Sequence, residues 1–103
     1  VNIPIFVGLA MARANSIQSG SPPTGAPANV DRQLYAGTKI KATWVNTDAT
    51  ATSKVYRSVS GNWVFINTAA AAETSLETGL TSITLLGVSH FKNGQESAIT
   101  SED

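Results

Sequence analysis

The sequence predicts an all-β protein, a two-sheet antiparallel sandwich preceded by an extended apolar arm. Two observations carry that expectation. Lys39 to Asn46, KIKATWVN, alternates, with Ile40, Ala42 and Trp44 on one side and Lys39, Lys41, Thr43 and Val45 on the other. This is the period of a strand with one buried and one wet face. Trp44 is the largest apolar group on the buried side, able to remove roughly 150–250 Å² from water at the centre of a small core. From Ala28 onward, short runs of this kind recur between turn signals. That spacing is the pattern of a sandwich of seven strands rather than of alternating strands and helices.

Val1 to Ala12, VNIPIFVGLAMA, has Asn2 as its single polar residue. It is shorter than the roughly 20 apolar residues that span a bilayer. It resembles the apolar part of a signal peptide and ends in small residues, but no Lys or Arg precedes it. The remaining reading is an arm, residues 1–19, which either folds back on its own domain or docks on another chain. Docking is the expectation, with Ile3, Ile5, Phe6, Val7 and Leu9 as the partner-binding residues. Gly20 to Pro27, GSPPTGAP, reads as a linker stiffened by Pro22 and Pro23. It separates the arm from a sandwich over residues 28–103.

The first strand is predicted over Ala28 to Tyr35, with Val30 and Leu34 buried. Ala36-Gly37-Thr38 turns the chain into the Trp44 strand. Asn46 to Thr52 is a polar turn rich in Asx and hydroxyl residues. Ser53 to Ser58 and Trp63 to Thr68 form a hairpin about Ser60-Gly61-Asn62. Glu73 to Glu77 is a short strand around Leu76. Ile83 to Phe91, ITLLGVSHF, is the longest strand and is apolar on both faces, so its second face needs a cover, either the arm or a neighbouring subunit. Lys92-Asn93-Gly94 is a hairpin turn, and Gln95 to Thr100 closes the sheet.

Composition narrows the function classes. Seven basic and seven acidic residues cancel, leaving no electrostatic footprint for nucleic acid or an anionic membrane. Cysteine is absent, which removes disulfides and thiolate metal sites. His90 is the single histidine and is expected at the surface. No His, Cys or carboxylate cluster has metal-ligand spacing. Ser89 and His90 are adjacent on a strand and so point to opposite faces, which argues against a catalytic relay. Asp48, Glu73 and Glu77 are scattered, and no phosphate-binding glycine loop is present. No catalytic residue, cofactor or metal is expected. Lys39, Lys41 and Arg32 form at most a small basic stripe that guards a sheet surface. For Trp63 and Tyr56, cross-strand packing is favoured over a sugar-stacking platform.

The segments Ala26-Pro27, KIKATW, KVYRSVSGNWVFINT, TSLETGL and GVSHFKNGQESAIT, in this order, resemble a fibronectin type III domain. The resemblance covers Pro27 to about Ser101. It implies an immunoglobulin-like sandwich with strands one, two and five in one sheet and three, four, six and seven in the other. Trp44 would be the core tryptophan of the second strand, and Leu80 the buried leucine before the sixth. One departure is clear. The tyrosine that usually ties the corner before the sixth strand is replaced by Ile83 or Leu85, so the corner is expected to be held by packing. The hydroxyl-rich, cysteine-free character is similar to that of fibronectin III domains in phage virion proteins. It implies a non-catalytic assembly module, a head decoration, tail or fibre-attachment protein, anchored by its arm to protein subunits and displaying an adhesive domain toward cell-surface glycans. The alternative is an accessory carbohydrate- or protein-binding module of a secreted bacterial enzyme. Neither reading involves nucleic acid or membrane insertion.

Overall fold

The computed structural model describes residues 20–102. These form strands β1 (Ala28–Tyr35), β2 (Lys39–Val45), β3 (Thr52–Val59), β4 (Asn62–Ala69), β5 (Ser75–Glu77), β6 (Leu86–Lys92), β7 (Gln95–Glu96) and β8 (Thr100–Ser101), with no helix among them. One sheet has the order β1-β2-β5 and the other β4-β3-β6-β7, with β8 also paired to β6. Every pairing is antiparallel. The predicted final strand, Gln95 to Thr100, is thus broken into two short pieces. Ser97 causes the break: its N–H donates to the His90 carbonyl at 2.8 Å and its hydroxyl accepts from the His90 N–H at 2.9 Å. The chain then rejoins β6 at Val88 and Gly87.

The alternation in β2 translates directly into burial. Ile40, Ala42 and Trp44 join Val30 against Val55, Ala69, Leu86 and Val88 of the opposite sheet, with Ile83 from the preceding connection. Trp44 satisfies its indole N–H by donating to Asn46 Oδ1 at 2.9 Å, so its burial leaves no unpaired donor. Leu80 packs against this cluster while remaining partly exposed. Leu34, predicted as buried, is 67% exposed. It pairs opposite Ile40 near the end of an edge strand, where the other sheet does not cover it. The two tight hairpins behave as their residues require. Ser60-Gly61 and Asn93-Gly94 all take positive φ, the primed-turn geometry that matches strand twist.

The corner before β6 is held by more than packing, which corrects the sequence expectation. The Arg32 guanidinium donates to the carbonyls of Ile83 at 3.2 Å and Thr84 at 3.3 Å. It also pairs with Glu102 through Nε at 2.6 Å and a second nitrogen at 2.7 Å. Glu102 in turn accepts the Leu86 N–H at 3.1 Å. A two-pronged arginine–carboxylate pair fixes orientation as well as distance. Arg32 is therefore committed to this corner rather than to a basic stripe. Tyr35 makes a second tie, its hydroxyl oxygen accepting the Gly79 N–H at 3.0 Å.

Candidate functional site

The predicted partner-binding residues Ile3, Ile5, Phe6, Val7 and Leu9 lie outside the described residues, as does the rest of the predicted arm. The predicted linker, residues 20–27, runs along the sandwich. Asn93 Nδ2 donates to the Ser21 carbonyl at 2.7 Å, Thr47 Oγ1 to the Ala26 carbonyl at 2.9 Å, and Thr100 Oγ1 to the Pro27 carbonyl at 2.6 Å. Ser21, near the start of the described residues, therefore lies beside the β6–β7 turn.

The candidate binding surface is β4 and the outer face beside it. β4 is an edge strand of sequence NWVFINTA, with no charge and no proline. Trp63, Val64 and Phe65 are consecutive and 37%, 38% and 52% exposed, and Val59 and Leu85 add further exposed apolar groups nearby. Strand alternation puts Trp63 and Phe65 on one face of the strand and Val64 on the other. Edge strands usually carry charges, prolines or strong irregularities that deter pairing. Here a register shift opposite Val55 and Tyr56 is the only such device in β4, and it lies beyond Phe65.

Gly87 explains how Trp63 is seated. A Cβ at this position would fall 2.7 Å from Ile99 Cγ2 and 2.8 Å from Trp63 Cζ3. The indole and the Ile99 side chain thus close over bare backbone in the middle of the sheet. Replacing Gly87 with valine is expected to lift the indole off the sheet and to cost about 1–3 kcal/mol through overpacking. Thermal melting and a red shift of tryptophan emission would report it; an unchanged melt would show that the indole does not rest there.

Next to Gly87, Ser89 Oγ donates to Glu96 Oε2 at 2.5 Å, and the Tyr56 hydroxyl donates to the same oxygen. Burial, then the hydrogen bond to Glu96, pushes the Tyr56 phenol up to about 12. Burial works to raise the Glu96 carboxyl, but hydrogen bonds from Ser89 and Tyr56 outweigh it and hold the group below the usual carboxylate range. Tyr56 also meets Phe65 edge-to-face, ring centroids 5.7 Å apart, and the Lys54 ammonium sits 4.0 Å from the Phe91 ring centre. Favoured cross-strand packing is what Tyr56 does, while Trp63 combines packing with partial exposure. The same contacts identify the cover that the doubly apolar sixth strand needs. Over Gly87 and Ser89 it is the domain's own Trp63, Ile99, Tyr56 and Glu96.

His90 is fully buried, not at the surface. Its Nε2 accepts the Thr47 N–H at 3.2 Å, so the neutral ring carries its proton on Nδ1, which faces Ser53 Oγ at 3.1 Å and donates to it. Burial depresses the imidazole pKa; the Thr52 backbone and the Asp48 charge work against this without reversing it. Asp48 gathers the Thr50 hydroxyl at 2.6 Å, the Thr50 N–H at 3.0 Å, the Thr24 N–H at 3.1 Å and the Lys92 ammonium at 3.5 Å. The hydrogen bonds from Thr50, then that from Thr24, hold its carboxyl well below the usual range. This cluster fastens residues 24–26 to the β2–β3 connection and accounts for its polar atoms within the fold. Ser89 and His90 do point to opposite faces, as strand geometry requires.

Among the described residues, no group of three or more His, Cys, Asp or Glu side chains is placed to hold a metal, and no helix is long and apolar enough to cross a membrane. What the outer face presents is a partly exposed indole and phenyl ring and, among the described residues, an edge of unpaired backbone. Sequence reasoning missed the β4 edge as a site. The signal present was the absence of charge in NWVFINTA, but edge position is a property of sheet order and cannot be read from one strand. No protein-family model matches the chain, and no curated protein sequence matches it.

Proposed function

We propose that the chain is a fibronectin III-like, non-catalytic assembly module of a phage virion, anchored by residues 1–19 to neighbouring protein subunits and presenting its sandwich outward. The observation that carries this reading is an uncharged apolar segment beside a sandwich whose described residues form a buried cluster of their own. Val1 to Ala12 contains no charge, while the buried cluster runs from Val30 to Val88. Apolar side chains that dock on a partner gain about 1.5–3 kcal/mol each when fully buried there, offset by the cost of ordering and association. The family reading is supported by the division of β1, β2 and β5 from β3, β4 and β6 to β8 around the buried Trp44. A fold of this kind serves many roles, so the arm rather than the sandwich argues for assembly.

Deletion of residues 1–19 is the test. The truncated chain is expected to melt within a few degrees of the full chain and to be lost from purified virions. Unfolding on truncation would place the arm in the domain's own core, and retention in virions would place the anchor on the sandwich. A second reading, an accessory module of a secreted bacterial enzyme that binds glycans, draws on one observation, the indole of Trp63 lying half-open on the sheet surface. Binding of soluble oligosaccharides that quenches tryptophan emission and is abolished by Trp63→Ala would favour it.

A further inference from the structure

We infer that the β4 edge is a self-association surface: two copies of this chain pair antiparallel along residues 62–66, about a two-fold axis at Val64, and join their sheets into one. This goes beyond the anchoring reading and uses only described residues. Among these, β4 pairs with β3 alone. Strand geometry says which of its backbone groups face outward. Val59 and Asn62 close the two-residue Ser60-Gly61 turn, so they exchange hydrogen bonds, and Arg57 and Val64, two steps on, do the same. Trp63 and Phe65 alternate with these pairs and turn their N–H and C=O groups away from β3. A separate contact fixes this parity. The Ser58 N–H, opposite Trp63, donates to the Leu85 carbonyl at 2.9 Å on the far side of β3.

The outward groups select one register. In an antiparallel ladder, residues that face the new strand must meet residues that face back. An axis at Val64 sets Trp63 of each copy opposite Phe65 of the other, where they exchange backbone bonds. It also sets Val64 opposite Val64 and Asn62 opposite Ile66. An axis at Trp63 would instead set Phe65 against Gly61 in the turn. An axis at Phe65 would set Trp63 against Asn67, past the register shift opposite Val55 and Tyr56. The side chains agree with the Val64 axis. Trp63 and Phe65 share one face and are partly exposed, so each copy's indole lies beside the other's phenyl ring, a favourable cross-strand pair. Val64 meets its own copy on the opposite face.

Charge selects a second copy over a peptide of another kind. β4 carries no charged residue, so an acidic or basic strand would lose hydration at this edge with no ion to meet. A second β4 brings no charge to desolvate. The nearest charges on β3, Lys54 and Arg57, stand one strand back in each copy, and the net charge of the chain is zero, so two copies approach without repulsion. The contact is short. Interfaces below roughly 1,200 Å² belong to weak, transient pairs, so the dimer is expected to be reversible and half-formed on the order of 100 µM.

Sedimentation and cross-linking of the full chain test this. The parent is expected to shift from monomer toward dimer over roughly 10–500 µM. Val64→Lys sets two ammonium groups against each other at the axis and is expected to weaken the dimer at least about ten-fold. Its melting temperature should stay near the parent's, since Val64 is exposed. Cysteine substitution reads the register itself, because the chain has no cysteine of its own. Residues opposed at the axis have Cα atoms about 4.5 Å apart, within reach of a disulfide. Under mild oxidation, Val64→Cys is therefore expected to form a covalent dimer several times faster than Phe65→Cys, although Phe65 is the more exposed side chain, and several times faster than Leu34→Cys on the other sheet. A full chain that stays monomeric over the whole range overturns the inference, as does a dimer that Val64→Lys leaves intact. Cross-linking that follows exposure, with Phe65→Cys or Leu34→Cys at least as fast as Val64→Cys, overturns it too, and this comparison decides the matter if Val64→Lys proves unstable. A chain that dimerises only after residues 1–19 are deleted overturns it equally, because the edge would then be covered within the chain.

Discussion

Replacing Trp44 with alanine is expected to cost about 3–5 kcal/mol. Small domains have only about 5–15 kcal/mol in hand, so the variant should be partly or wholly unfolded at physiological temperature. Trp44 is 4% exposed and belongs to the cluster that joins the two sheets. Its neighbours Ile40 and Ala42 lie on the same strand and Val55, Leu86 and Val88 on the opposite sheet, so the cavity is bounded by backbone that cannot collapse freely. The loss also strands Asn46 Oδ1, which accepts the indole N–H. Denaturant unfolding followed by circular dichroism checks this. A midpoint equal to that of the parent would contradict the assignment of Trp44 to the core.

The second large effect concerns His90. Leucine in its place fills a similar space but leaves the buried Ser53 hydroxyl and the N–H of the exposed Thr47 without their partners. An unpaired buried hydroxyl costs about 1–3 kcal/mol, while water can take up the Thr47 N–H, so a net loss of about 1–3 kcal/mol is expected. The pH dependence separates this role from plain packing. The folded imidazole titrates below its ordinary value of 6.5 because burial disfavours its charged form. On acidification the unfolded chain therefore takes up a proton that the folded chain refuses. Stability contributed by the neutral ring is full above the unfolded pKa and declines as pH falls below it, toward the folded pKa. Glu102 is held low by Arg32, and Asp48 by Thr50. Both keep their contributions until pH falls into the ordinary carboxylate range and lose them below it, so the interval from about 6.5 to about 5 belongs to His90. The parent should lose melting temperature across that interval and His90→Leu should not. A flat parent profile would show that the ring is not held neutral.

These two residues also show what the sequence could and could not convey. Trp44 was legible because KIKATWVN obeys a strict alternation and its strand is covered on one face only. His90 was not, because ITLLGVSHF is apolar on both faces and its parity cannot say which side a polar residue takes. The cover on the second face comes from Trp63 of β4 and Ile99 of the β7–β8 connection meeting over Gly87, contacts that no local pattern specifies. Gly87 itself was the available signal, since a glycine inside an apolar strand marks a close approach. The corner fails for the same reason: Arg32 and Glu102 are 70 residues apart, and nothing local pairs them. Leu34 follows the strand pattern yet lies beyond the reach of the facing sheet. The β4 edge follows from sheet order, which turn signals and periodicity do not specify. The arm, by contrast, is conspicuous in sequence because Ile3, Ile5, Phe6, Val7 and Leu9 form an uncharged run with no polar partner pattern.

The central claim is that this chain works as a resident part of a particle rather than as a free domain. Quantitative peptide mass spectrometry of purified virions that carry the gene measures this most directly. The account predicts peptides from residues 28–102 at a fixed copy number relative to a major structural protein, unchanged by washing in high salt because the anchor is apolar. Peptides absent from virions, or present at trace levels that fall with each wash, would contradict it.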